Sequence, residues 1–134
     1  MFTTISNEIE TILNGIVAST KLAAVFNYDV KTYSKFPTAT ISVVDGEQTL
    51  LDTATNDDNI NFRIRIVDQN RSIATMEARM RLLIDNVLTT LRTSNNLNNT
   101  VCRVTFSIVW WWIDDSQPMR SCDITCHCLT TNAI

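Results

Sequence analysis

Glycine and proline occur only twice each among 134 residues, too rarely for a linker, a collagen-like repeat or a low-complexity tail. With 45% apolar residues, the chain reads as globular, one domain over residues 1–134 that can bury a core without disulfide or metal staples. Long apolar runs are also missing. The longest apolar-rich stretch, Phe106 to Ile113, is well short of the roughly 20 residues of a membrane helix, so no membrane partner is expected. The opening MFTTISNEIETIL has no basic segment followed by an apolar one; it does not look like a secretion signal, and a protein made and used in solution is expected. Basic charge is scarce as well. A formal charge of −3 and a pI near 5.0 argue against sequence-independent nucleic-acid binding, which needs a clustered basic face. They are compatible with a surface that DNA passes without sticking, because acidic walls repel phosphate.

Catalytic signatures are equally sparse. There is one histidine, His127; Ser107, expected opposite it, has no third orienting residue evident in sequence, so no catalytic residue is assigned. No P-loop, G-x-G-x-x-G, H-E-x-x-H or G-x-S-x-G is found, and no cofactor is implied. The carboxylates sit mainly in loops and on helix flanks. The motif CDITCHC invites a zinc reading, but Cys122, Cys126 and Cys128 fall along one face of a strand, where sulfurs do not converge on one ion. Cys102 is expected far from Cys126, against a disulfide. Buried small hydrophobes account better for these cysteines, and no metal site is assigned.

What is present is periodicity. Ile5, Ile9, Ile12, Leu13 and Ile16 recur at helical spacing, with Thr3 or Thr4 as a cap and with Asn14 and Gly15 weakening the end. A strand-like stretch runs from Ala24 to Val30. FPTATISVV, residues 36–44, alternates Ala39, Ile41 and Val43 with polar neighbours, and Pro37 belongs at its start. NINFRIRIV, residues 59–67, puts Ile60, Phe62, Ile64 and Ile66 inward and Asn61, Arg63 and Arg65 outward. Between these strands DGEQTLLDTATNDDN, residues 45–59, holds five acids and no base. It is expected to be a long acidic loop, either solvated or a docking arm that orders against a partner.

Ser72 is the expected cap of a second helix whose stripe is Ile73, Met76, Met80, Leu83, Ile84, Val87, Leu88 and Leu91. Glu77, Arg81 and Asp85 form solvated pairs on its flank, and Leu82 points away from the stripe. SNNLNNT is a turn by composition. Val101 to Ile113 then alternates Val104, Phe106, Ile108, Trp110 and Trp112 against Arg103, Ser107, Val109 and Trp111. After DDSQPMR, the last strand sets Cys122, Ile124, Cys126 and Cys128 against Asp123, Thr125 and His127. A register with Trp112 opposite Cys122 and Trp110 opposite Ile124 places both apolar sets on one face. The expected fold is therefore α+β: an antiparallel sheet of about four to five strands, two helices on one face, and a long C-terminal β-hairpin.

All three tryptophans are consecutive. Strand alternation sends Trp110 and Trp112 to the core, at about 3 to 5 kcal/mol each if fully buried. Trp111 faces outward and is expected to be covered by a neighbouring subunit, the alternative being cover by its own chain's N-terminal segment or loop.

In the order of its elements, from the N-terminal amphipathic helix through AVFNYDV, KFPTATISV, the long loop, NINFRIRIVD and SIATMEARMRLLIDNVLTTLR to the closing strand pair, the chain resembles the tail terminator and tail-completion proteins of long-tailed bacteriophages. The resemblance spans nearly the whole chain and carries no catalytic motif. It implies a structural virion protein of the tail-neck region, assembled in the host cytoplasm. Such a protein is a homo-oligomeric ring, usually a homo-hexamer, that caps the tail tube, ends its polymerisation and joins the tail to the head connector. The implied partners are the tail tube protein and the head-tail connector or head-closure protein, with DNA passing through the lumen without specific binding. A closed ring needs two different complementary faces. The candidates are the outward side of the strand pair, with Trp111, Val109 and Leu129, and the acidic segment with Asp45, Glu47, Asp52, Asp57 and Asp58. The alternatives are another neck or tail ring protein, such as a head-closure, head-completion or tail tube subunit, and, ranked lower, a small soluble enzyme.

Overall fold

The computed structural model describes residues 2–17, 22–50, 55–70, 72–94, 97, 103–113 and 119–133. Within them the order is α1 (Phe2–Val17), β1 (Ala24–Phe26), β2 (Thr38–Leu50), β3 (Thr55–Gln69), α2 (Ile73–Thr93), β4 (Arg103–Ile113) and β5 (Met119–Ala133). The strands form one sheet in the order β1-β2-β3-β5-β4. It is an α+β fold closed by an antiparallel strand pair, β4 and β5, as the alternation of both segments predicts.

One core lies between the helices and one face of the sheet. The stripe of α1 is buried from Ile5 to Ile16, and α2 adds Met80, Leu83, Ile84, Val87, Leu88 and Leu91. The sheet contributes Ile60, Phe62, Ile64 and Ile66 from β3 and Cys122, Ile124, Cys126 and Cys128 from β5. These are alternate positions, as a strand with one buried face requires. Ser72 caps α2 by accepting from the Thr75 amide at 3.2 Å. Ile73, expected in the stripe, is 54% exposed. Ser72 to Thr75 are all exposed, so α2 reaches the core only at Met76. α1 begins at Phe2, which puts Thr3 and Thr4 inside its first turn instead of at the cap. Near the other end of the sheet, the fully buried Asp68 of β3 is held by Arg79 of α2, Nε to Oδ2 at 2.7 Å.

Three expectations are corrected. First, the sheet is mixed: β1 runs parallel to β2, Ala24 beside Thr38 and Phe26 beside Thr40. Parallel neighbours need a crossover, here residues 27–37, which place Asp29 beside Arg63 at 3.8 Å.

Second, of the expected loop 45–59, residues 45–50 and 55–59 are strand, while residues 51–54 lie outside the described residues. β2 and β3 continue as a ladder to Leu50 and Asn56, past a bulge between Val43 and Asp45, and β5 accompanies β3 as far as Ala133. Residues 43–49 are all exposed. A strand alternates in hydropathy only where one of its faces is covered. This arm is paired through its backbone and is largely wet, so its composition mimics a loop.

Third, the β4–β5 register pairs Trp110 with Cys122 and Trp112 with Arg120, and Ile108 with Ile124. The slip from the expected register is even, so every side chain keeps its face. Its consequence falls on the tryptophans. Trp110 packs partly buried against the core, whereas Trp112 is 45% exposed. The Arg120 guanidinium lies 5.0 Å from the Trp110 ring and 4.8 Å from the Trp112 ring, and its Nε is 3.0 Å from Glu77 of α2. Glu77 also meets Arg81 at 3.4 Å, so it is an anchoring residue and not only a member of a solvated pair. At this end of the sheet a cation between two indoles takes the place of an apolar stripe.

Trp110→Ala is expected to cost about 2 to 3 kcal/mol and Trp112→Ala about 1 kcal/mol. Urea denaturation of the two variants checks the order; equal losses above about 3 kcal/mol would restore Trp112 to the core.

Candidate subunit interface

The face of the sheet away from the helices is built from the other half of each alternation. Asn61, Arg63 and Arg65 of β3 lie beside His127, Thr125 and Asp123 of β5, and Thr105, Ser107, Val109 and Trp111 come from β4. Arg65 donates to Asp123 through Nε at 2.9 Å and Nη2 at 3.2 Å. That bond holds the Arg65 pKa above its ordinary value. The same guanidinium lies 4.9 Å from the Trp111 ring. Trp111 is thus outward, as alternation predicts, and half-buried by Arg65 of its own chain.

Farther along this face a hydrogen-bonded row crosses three strands and reaches a fourth. His127 Nδ1 donates to Asn61 Oδ1 at 2.7 Å, which leaves Nε2 to accept from Ser107 Oγ at 2.9 Å. Asn61 Nδ2 donates in turn to Asp45 on β2. The third residue that sequence reading could not supply for the Ser107–His127 pair is therefore Asn61. Its outward position was legible in NINFRIRIV, but its place beside His127, 66 residues away, depends on the β3–β5 register. The three side chains are exposed or half-exposed on an open sheet face. Cavities of about 310, 230 and 420 Å³ elsewhere among the described residues are lined by other residues. The row ties four strands together; nucleophilic catalysis would need a bound substrate and oxyanion donors besides a base. A serine-directed fluorophosphonate is expected to leave Ser107 unmodified; adduct formation at Ser107 seen by mass spectrometry would reverse that assignment.

The proposed interface residues fall into two groups. Val109, 60% exposed, and Trp111 sit on β4 at one end. Leu129 is half-buried opposite Arg103, eight residues along the strand from Trp111, or about 26 Å. It belongs instead with the arm. There Asp45 and Glu47 are exposed on β2 and Asp57 is half-buried on β3, while Asp52 lies outside the described residues. Asp58 does not fit a docking role because it is only 3% exposed. It lines one cavity with Phe2, the first residue of α1.

Cys122, Cys126 and Cys128 are free and buried on the core side of β5; Cys102 lies outside the described residues. Among the described residues no three His, Cys, Asp or Glu side chains cluster closely enough to hold a metal ion, and no helix is long and apolar enough to cross a membrane. Burial pushes the thiols of Cys122 and Cys128 up to about 12 and that of Cys126 higher still. Because the thiolate is the reactive form, all three are neutral at pH 8 in the folded chain and return to an ordinary pKa near 8.5 on unfolding. In a Cys102→Ser background, a thiol reagent at pH 8 is expected to modify them only after denaturant is added. Rapid modification of the native protein would contradict this burial.

No protein-family model matches the chain, and neither does any curated protein. Among solved structures, a chain of the "Virion of native gene transfer agent (GTA) particle" superposes with a TM-score of 0.54, covering 90% of this chain and 84% of that one at 12% identity. The two chains share a fold. The likeness takes in nearly all of both, so it concerns the whole arrangement of sheet and helices and not a single motif.

Proposed function

We propose that the protein is a structural component of a phage-like particle and, more specifically, a tail terminator. The observation that carries this reading is the shared fold, over 90% of this chain, with a chain of a gene transfer agent virion. The element order that resembles tail terminators supports the narrower assignment. On this reading the chain forms a ring, usually of six copies, on the finished tail tube, ends polymerisation of the tube protein and presents the surface that the head connector or head-closure protein meets. DNA passes through the lumen without specific binding, in keeping with the net charge of −3. Val109 and the acids of the arm, Asp45, Glu47 and Asp57, supply accessible contacts, and Trp111 with its Arg65 neighbour stiffens the face that bears Val109. The ring has no catalytic task.

Loss of the gene separates this reading from its relatives. A terminator's absence is expected to give overlong or unjoined tails by electron microscopy. Absence of tails altogether would assign the chain to the tail tube instead, and normal tails on unfilled or leaking heads would assign it to head closure.

A further inference from the structure

Two stretches of sheet edge have no partner strand among the described residues. β4 is an edge strand along its whole length, Arg103 to Ile113. On the opposite side β1 pairs only with Thr38, Ala39 and Thr40, leaving β2 open from Ile41 to Leu50. The open stretches match in length, ten residues on β2 and eleven on β4. Long open edges with exposed apolar side chains pair with other chains unless something blocks them. Here β2 exposes Val43 and Val44, and β4 exposes Ile108 and Val109.

We infer that the β4 edge of one copy adds to the β2 edge of the next, so that the sheets of neighbouring copies join into one continuous sheet around the ring. This rests on the ring reading given above. Strand direction favours it: β3 is antiparallel to β2, β5 to β3 and β4 to β5, so β4 runs opposite to β2 and meets the next copy's β2 as an antiparallel neighbour. Charge favours it too. β4 carries one base, Arg103, and no acid, whereas the open part of β2 carries Asp45 and Glu47 and no base. Arg103 and Glu47 are exposed and make no ion pair among the described residues. Pairing β2 with another β2 would set acids against acids, so the occupant that fits each edge is the other edge, the two-faced contact a ring requires. β1 already fills the place beside Thr38 to Thr40. An incoming β4 therefore lies alongside residues 41–50, displaced toward the tip of the arm, and such a stagger is what a closed sheet of tilted strands needs.

Two charge variants test the pairing, each altering exposed positions on one edge: Arg103→Glu with Thr105→Glu on β4, and Glu47→Lys with Thr49→Lys on β2. Far-UV circular dichroism and melting establish that both fold. By native mass spectrometry each variant alone is expected to associate at least about tenfold more weakly than wild type, since like charges are brought together. An equimolar mixture is expected to regain the wild-type assembly mass, because an acidic β4 edge then meets a basic β2 edge and the native pair is also available. Either variant assembling alone as wild type does, or a mixture that stays dissociated, would overturn the edge pairing while leaving the ring intact. A wild-type protein that is monomeric at every concentration and does not assemble on tail tubes would remove the ring reading itself.

Discussion

The β3–β5 ladder is the constraint on which the other elements depend. It joins Thr55 to Ala133 and Gln69 to Met119 without interruption, bringing together segments separated by a helix and another strand. β2 and β4 are secured to its two sides. Because side chains alternate strictly along both strands, this ladder also divides the molecule's chemistry. Ile60 to Ile66 and Cys122 to Cys128 supply the core on one side; Asn61, Arg65, Asp123 and His127 form the paired polar surface on the other. A one-residue slip of β3 would bury Arg65 under the helices and expose Ile64, and a slip of β5 would do the same with Asp123 and Ile124, which explains why the register is so strongly specified.

The polar surface is held by cross-strand pairs that satisfy one another. Arg65 is bonded to Asp123 and stacked near Trp111, and His127 is bonded on both ring nitrogens. The helix side uses the same device at its margin, where Arg120 fills the gap between Trp110 and Trp112 and is tied to Glu77. A run of three indoles on one strand is thus accommodated without placing three in the core. One is partly buried, and the other two are each covered in part by an arginine.

This organisation leaves the unsatisfied backbone at the margins of the sheet. The short β1 leaves most of β2 open, and nothing among the described residues pairs with the outer side of β4. A monomer with two open edges of opposite charge has the features of a building block. That agrees with the proposed role in a particle better than a catalytic one does, since the sole histidine is committed to a row that braces an open face.

The sequence by itself determined both helices, the strand cores from Thr38, Ile60, Arg103 and Ser121 onward, the alternation of faces within those cores and the outward position of Trp111. Each follows from local periodicity, which burial on one face imposes directly. Only the tertiary structure decided the parallel pairing of β1, the strand character of residues 45–50 and 55–59, the register that removes Trp112 from the core, the burial of Asp58 and the meeting of Asn61 with His127. The physical reason is common to these outcomes. Hydropathy records whether a face is covered, whereas a backbone ladder, a two-residue slip or a contact across 66 residues depends on which strand lies alongside, and that leaves no periodic mark on the chain.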